Sequence, residues 1–228
     1  MRKIFFSSIH NSFGGKLELI ISGGASLRND YIKGFRELGV KILSGYGITE
    51  CSPVISVNRN NYFKDKSVGQ ILDGIEAKIV DNELLIKGEC VFKGYYKNSY
   101  ETSVAFYNSW FKTGDIGHID KDGFLYITGR KKNLIVLSNG KNISPEELEG
   151  YFYNLSYVQE VLVYQDNDRI NAQIFCGKEN TELYRLQIEQ DLKRINRQLP
   201  IYKNISQVFV RENEFPKTST KKIKRLNV

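Results

Sequence analysis

The sequence predicts an α/β layer, then a small antiparallel β-region, then a compact α+β module. Three observations carry this. A strand–helix–strand order near the start reads as a parallel βαβ unit. Hairpin patterns run from about Gly69 to Thr128. A capped helix, two strands, a long amphipathic helix and a last strand follow GRKK.

LELIIS (17–22) is a β-rich apolar run closed by the turn GGAS. In SLRNDYIKGFREL, residues Leu27, Tyr31, Ile32, Phe35 and Leu38 fall close to helical spacing. Gly39 ends that helix and VKILSGYG opens a second buried strand. Ligands of parallel sheets collect beyond the carboxyl ends of the strands, the edge to which SGGAS and GYGITE both belong. Further on, IEAKIV and ELLIKG flank Asp81-Asn82, while GHID and FLYITG flank KDG, and both are hairpin signals. Ser144-Pro145-Glu146-Glu147 reads as a capping box with proline at the first helical position. VQEVLVYQ and INAQIFCG are strands. TELYRLQIEQDLKRINRQL sets Ile188, Leu192, Ile195 and Leu199 on one helical face, a core-packing stripe. SQVFVRE is the last strand, and there is no internal repeat or low-complexity linker.

The 228 residues can hold one large domain or two modest ones, and 41% hydrophobic with 12% aromatic residues supplies a core. The net charge of +7, from 33 basic and 26 acidic residues, favours anionic ligands and is too weak to argue for nucleic acid. Cys51, Cys90 and Cys176 are far apart and form no CxxC pair, and His10 and His118 are the only histidines, so a zinc site is not expected. A reduced, cytoplasmic protein is the simplest reading; peripheral membrane association stays open. No apolar run reaches the roughly 20 residues that span a bilayer. The N-terminal apolar stretch is short and broken by serines and His10, which argues against a signal peptide.

Several stretches suggest chemistry. In GYGITE (45–50) two glycines allow close backbone approach, and Thr49 and Glu50 bring a hydroxyl and a carboxylate; an ordinary strand-end turn would look the same. SGGAS lacks the GK[ST] ending of a Walker loop. Asp115 stands in what reads as a TGD turn and Arg130 ends a strand in TGR. A carboxylate can accept two hydrogen bonds from a ribose diol, and an arginine suits phosphate or sugar oxygens. The tail PKTSTKKIKR carries five basic residues, Lys217, Lys221, Lys222, Lys224 and Arg225, which in isolation read as a solvated run.

In their order, GGAS, GYGITE, TGD, GRKKNLIVLSNGKNISPEELE and PKTSTKK resemble the AMP-forming adenylating enzymes: acyl-CoA synthetases, luciferases and peptide-synthetase adenylation domains. GRKKNLIVLSNGKNISPEELE looks most like the long-chain fatty-acyl-CoA synthetase branch. The resemblance covers essentially the whole chain. It implies a remnant of the large adenylating domain over 1–129, with the β-subdomain at about 69–128, and a mobile α+β C-terminal domain over 130–228.

That resemblance further implies two half-reactions: a carboxylate and ATP give acyl-AMP and pyrophosphate, then the thiolate of coenzyme A displaces AMP. The implied ligands are a fatty acid, ATP/AMP, Mg2+ and coenzyme A. By similarity Gly23, Gly24 and Ala25 lie against adenine and Tyr46, followed by Gly47, packs on its ring. Thr49 touches the α-phosphate region and Glu50 holds magnesium. Asp115 binds the ribose hydroxyls with Arg130 close by. Lys132 is the hinge of a domain swing, and the Ser138-Asn139-Gly140 loop lines the pantetheine path. Lys222 is the lysine that bridges carboxylate and ribose-phosphate oxygens, and Lys217, Lys221, Lys224 and Arg225 are solvated.

The chain departs from the family's pattern at two positions. Lys221 stands where many members have glycine, and Asn133 where an acidic residue often follows the hinge. Nothing in residues 1–22 resembles the family's Ser/Thr/Gly-rich phosphate loop. The expectation is therefore the C-terminal part of a synthetase, either shortened or a split gene product, inactive alone without its N-terminal region. Its unpaired sheet edges favour self-association. The rival readings are a non-catalytic regulatory module of the same fold and a basic nucleic-acid-binding module. The acyl chain length and the choice of coenzyme A or a carrier-protein thiol as acceptor are not legible.

Overall fold

A computed structural model describes residues 6–25, 27, 29–177, 184–219 and 221–225. The chain divides into two compact units, Met1–Lys131 and Lys132–Val228.

In the first unit, helix α1 (Ser7–Ser12) precedes strand β1 (Leu19–Ser22), helix α2 (Asn29–Glu37) and strand β2 (Lys41–Gly47). β1 and β2 pair in parallel, as the βαβ pattern predicts. Helix α2 buries Ile32 and stops where Gly39 takes a φ of +88°. There Gly39 N–H donates to Arg36 C=O (3.0 Å) and Val40 N–H to Phe35 C=O (2.9 Å), a pair of hydrogen bonds that satisfies these two late carbonyls. Strands β3 (Val54–Val57) and β4 (Gln70–Ile71) extend the sheet in the order β1-β2-β3-β4, both antiparallel. The sheet is mixed because a short turn over residues 49–52, with Ser52 at φ +59°, brings the chain straight back on β2.

The β-subdomain is a second sheet. Strands β5 (Ile75–Val80), β6 (Glu83–Gly88), β7 (Phe106–Tyr107) and β8 (Trp110–Ile119) run in the order β5-β6-β8-β7, and β9 (Leu125–Arg130) pairs with β8. The β5–β6 hairpin turns on Asp81 and Asn82, both at positive φ (50° and 65°), the turn that matches strand twist. A short helix α3 (Ser99–Ala105), which sequence periodicity did not predict, starts at Asn98, whose side chain accepts from Glu101 N–H. Ile55 of the first sheet and Cys51 of the turn before it pack with Leu84, Ile86, Phe111 and Leu125 in one core.

TGD is not a turn. Residues Thr113–Asp115 lie inside the ten-residue strand β8, where Gly114 takes a φ of +70° beside an irregularity in the β6 pairing. A bulge needs the same glycine that a turn does, so the local signal misleads. At the β8–β9 turn, Asp120 accepts from Asp122 N–H (3.0 Å) and Phe124 N–H (2.9 Å), and from Lys64 Nζ (2.6 Å). The Lys64 bond, followed by the two amides, holds the Asp120 carboxyl down at about 2 from its ordinary 3.8. A carboxylate depressed in the folded state stabilises it fully above its unfolded value and loses that contribution as pH falls toward the folded one. Denaturant midpoints are therefore expected to drop between about pH 4 and pH 2. Asp120→Asn removes that part of the slope; an unchanged slope in the variant would contradict this assignment.

The second unit begins with a hairpin, β10 (Ile135–Val136) and β11 (Asn142–Ile143), followed by helix α4 (Pro145–Tyr153). Proline is at the first helical position, but the capping box does not form as drawn. Ser144 hydroxyl donates to Glu146 (2.9 Å) and makes no cap bond to the helix. Strands β12 (Glu160–Asp166) and β13 (Arg169–Phe175) pair antiparallel across Asn167-Asp168. Helix α5 (Arg185–Gln198) then carries the chain to β14 (Ile205–Arg211), parallel to β13. The stripe of α5 serves the core: Ile188, Ile195 and Leu199 are buried and Leu192 packs against them. The fold class read from the sequence, α/β followed by α+β, is the one observed.

Candidate functional site

Because β1 and β2 are parallel, the loops that follow them leave the same edge of the sheet. Gly23, Gly24 and Ala25 are exposed there, with Gly24 at φ +81°. A Cβ at Gly23 would stand 3.5 Å from the Gly45 carbonyl oxygen, so the two loops begin side by side. Ser26, the end of that motif, lies outside the described residues.

At the end of β2 the register with β3 shifts between Tyr46 and Gly47. Ile48 N–H donates to the Pro53 carbonyl (2.8 Å), and Thr49–Cys51 forms a 3-10 turn. This closure leaves no room for a side chain at Gly47, whose Cβ would sit 2.1 Å from the Pro53 oxygen. Gly47→Ala is expected to cost about 3 kcal/mol through backbone displacement, read as a fall in thermal midpoint. A midpoint within a degree of the parent would contradict the close approach. The turn points Thr49 into solvent and leaves Glu50 half-buried. Tyr95 hydroxyl donates to Glu50 Oε1 (3.1 Å), and Phe92 N–H to the Glu50 carbonyl (2.8 Å).

Three of the expected residues meet at one carboxylate. Asp115 and Arg130 are cross-strand partners on β8 and β9. Arg130 Nε lies 2.7 Å from Asp115 Oδ1, and Tyr46 hydroxyl donates to Oδ2 at 2.5 Å. Asp115 is 3% exposed. Its own N–H donates to Thr113 Oγ1 (3.0 Å), and that hydroxyl donates to the Leu84 carbonyl (2.8 Å). Burial, and then the Asp115 charge, push the Tyr46 phenol far above its ordinary value, so it stays a donor at any working pH. Arg130 keeps 44% of its side chain in solvent and can turn that face to an anion. Sequence reading missed Thr113 and Tyr95; TGD and GYY contain them, but nothing in the local pattern names their partners.

In the second unit, the Ser138-Asn139-Gly140 loop caps the β10–β11 hairpin, with Gly140 at φ +77°. Asp168 fixes it, accepting from Ser138 N–H (2.9 Å) and Ser138 hydroxyl (2.5 Å). These bonds hold the Asp168 carboxyl below the usual range. Lys132 is exposed in the 3-10 turn Lys131–Asn133, and Asn133 donates to Glu146 (2.5 Å).

The tail corrects one expectation. Lys221, Lys222 and Lys224 are exposed, but Lys217 and Arg225 are not free in solvent. Lys217 pairs with Glu160 and with Glu214 (2.7 Å). Arg225 pairs with Glu149 (2.6 Å). Between them a tight turn presents Lys222, whose N–H donates to Thr218 Oγ1 (3.1 Å). Among the described residues no acidic group pairs with its ammonium.

Comparison with known proteins agrees with both halves of this picture. The chain matches the AMP-binding enzyme family over residues 3–96 and the AMP-binding enzyme C-terminal domain over 132–228. It is 38% identical over 165 residues to the long-chain-fatty-acid–CoA ligase FadD15 of Mycobacterium bovis, covering 72% of this chain and 28% of that protein. It is 34% identical over 240 residues to a long-chain-fatty-acid–CoA ligase of Salmonella typhimurium, covering 98% and 40% respectively. Among solved structures it resembles the anthranilate CoA ligase AuaEII in complex with anthranoyl-AMP, with a TM-score of 0.81 at 26% identity, covering 92% of this chain and 43% of that one. It also resembles the O-succinylbenzoate coenzyme A synthetase MenE of Bacillus subtilis in complex with AMP, at 0.80 and 26%, covering 97% and 48%. The chain thus spans less than half the length of each of these proteins. Its motifs, its two matched segments and its ligase relatives together make it a member of the AMP-binding, adenylate-forming enzyme family.

Proposed function

We propose that this chain supplies the nucleotide grip and the C-terminal domain of an ATP-dependent, AMP-forming long-chain fatty-acid–CoA ligase. The observation that carries the reading is the Tyr46–Asp115–Arg130 cluster, a buried carboxylate held between a phenol and a half-exposed guanidinium. In the first half-reaction a fatty carboxylate oxygen attacks the α-phosphorus of ATP and pyrophosphate leaves. In the second, the thiolate of coenzyme A attacks the acyl carbon and AMP leaves.

Each residue has a physical task. Gly23, Gly24 and Ala25 offer a side-chain-poor surface to adenine, and Tyr46, pinned by its hydroxyl, offers a ring face of fixed orientation. Asp115 accepts from the ribose hydroxyls, with Arg130 beside it, and Thr49 donates to the α-phosphate. Glu50 would hold Mg2+ through its carboxylate. Among the described residues no three acidic, histidine or cysteine groups cluster. A lone carboxylate fits a cation that takes the rest of its shell from water and substrate phosphates; bound there, it would supply charge neutralisation to the phosphates. Lys222 brings a positive charge to the α-phosphate as negative charge develops there. Lys132 is the hinge, consistent with the division of the chain at that residue. The Ser138-Asn139-Gly140 loop, fixed by Asp168, borders the thiol path.

The three cysteines are unpaired, which supports a reducing, cytoplasmic setting. No helix among the described residues is long and apolar enough to cross a membrane. β1 lies at the edge of its sheet and Ile21 is 67% exposed, which supports self-association of the chain through that edge. Sedimentation at rising concentration is expected to show dimers or larger species; a strict monomer argues against it.

The activity test combines this chain with the N-terminal region of a long-chain ligase relative. ATP-dependent acyl-CoA formation is expected only from the combination. Failure of a well-folded combination with every fatty acid tried, alongside AMP binding no tighter than that of the relative's region alone, would refute the proposal.

A further inference from the structure

The tail that presents Lys222 is docked along the open edge of β12. Phe215 is buried, and its N–H donates to Glu160 at the start of that strand (2.8 Å). Ten residues on, Arg225 donates to Glu149 Oε2 (2.6 Å) and to the Val163 carbonyl (3.4 Å), with Glu146 at 3.5 Å. Glu149 itself is 6% exposed, and its other oxygen accepts from Val163 N–H (2.8 Å). The N–H and C=O that β12 turns away from β13 at Val163 are thus both taken, one by Glu149 and one by Arg225.

Between these anchors the backbone closes on itself. Thr218 N–H donates to the Lys222 carbonyl (2.8 Å), Lys221 N–H to Thr218 C=O (2.9 Å) and Lys224 N–H to Pro216 C=O (2.8 Å). Lys221 takes a φ of +61°. The direction in which Lys222 leaves the domain is therefore set by where residues 217 and 225 are held. Both anchors rest on a largely buried acid: Glu160, its side chain 12% exposed, holds Lys217 with the exposed Glu214 beside it, and Glu149, at 8%, holds Arg225. Glu149 is buried and would be left an uncompensated charge without Arg225.

We propose that Glu149, acting through Arg225, is a positioning residue for Lys222. It fixes the turn so that the ammonium arrives at the nucleotide without first being ordered. This rests on the reading of Lys222 as the residue that assists adenylation, and it extends that reading to two side chains that touch no substrate.

The test uses Arg225→Met, Arg225→Lys and Glu149→Gln; the last keeps an acceptor for Val163 N–H. In the full chain, hydrogen exchange at the Thr218 and Lys224 amides is expected to quicken in Arg225→Met and Glu149→Gln, while β13 amides stay protected. In the combined enzyme, both variants are expected to lower the turnover of ATP–pyrophosphate exchange by about 10- to 100-fold, the scale of a misplacement near 1 Å. KM for ATP and thioester formation from supplied acyl-AMP should hold, and Arg225→Lys should recover part of the loss. Unchanged amide protection overturns the clamp itself. Lost protection with full adenylation turnover overturns its role in positioning. A full adenylation rate in Lys222→Ala refutes the reading of Lys222 instead, and so separates the two failures.

Discussion

Replacing Lys222 by alanine is expected to slow acyl-adenylate formation by two to three orders of magnitude, roughly 3–4 kcal/mol for one donor aimed at developing charge. Thioester formation from supplied acyl-AMP should stay within a few-fold. The asymmetry follows from where charge appears. In the first step negative charge builds on α-phosphate oxygens while pyrophosphate leaves, and a fixed ammonium lowers that barrier. In the second, the thiolate attacks the acyl carbon and AMP leaves with the electron pair of the acyl–oxygen bond, so charge develops at the carbonyl and the leaving oxygen rather than around the α-phosphorus. Lys222 suits this role because it is exposed on a closed turn and has no acidic partner among the described residues. Lys217, which binds Glu160 and Glu214, has no such freedom. ATP–pyrophosphate exchange reads the first step and release of AMP from acyl-AMP and coenzyme A reads the second. Equal losses in both would mean that alanine merely disturbs the domain.

The second large effect is expected at Asp115. Asp115→Ala should weaken AMP binding about 100-fold, roughly 3 kcal/mol, the loss of one or two charge-assisted hydrogen bonds. It also strands the Tyr46 hydroxyl, whose partner is that carboxylate, and releases Arg130. Both would then reorient, and the Tyr46 ring loses its fixed angle. Asp115→Asn keeps an acceptor for Tyr46 without the charge and should fall between alanine and the parent. Calorimetric titration with AMP measures all three. An affinity for AMP unchanged in the alanine variant would remove Asp115 from the nucleotide grip.

Different parts of the molecule were legible for different reasons. The β5–β6 hairpin could be read because Asp81-Asn82 tolerate positive φ, and the parallel β1–α2–β2 unit because its apolar spacing switches period and back. Asp115 stands out in the sequence, but its setting there reads as a turn and is not one. Glycine before it signals a turn, and a bulge within β8 makes the same demand on the backbone. The tail was half legible. A run of basic residues looks the same whether solvated or paired, and apart from Glu214, three residues before Lys217, the acids that hold Arg225 and Lys217 lie far away in sequence, on α4 and β12. Helix α3 escaped because its seven residues bury no side chain fully, leaving only the Asn98 cap as a signal. The assignment of ligands to loops came from the resemblance of ordered motifs, since spacing alone does not distinguish an adenine loop from any other glycine turn.

The most direct measurement is the fate of a labelled oxygen. With a fatty acid carrying 18O in its carboxylate, the combined enzyme should transfer one labelled oxygen to the phosphate of AMP and none to pyrophosphate. Attack at the α-phosphorus puts a carboxylate oxygen in the bridge to the acyl group, and the thiolate then cleaves that bridge on the acyl side. Label in orthophosphate, with ADP as the nucleotide product, would show attack at the γ-phosphorus and contradict the proposed acyl-adenylate intermediate.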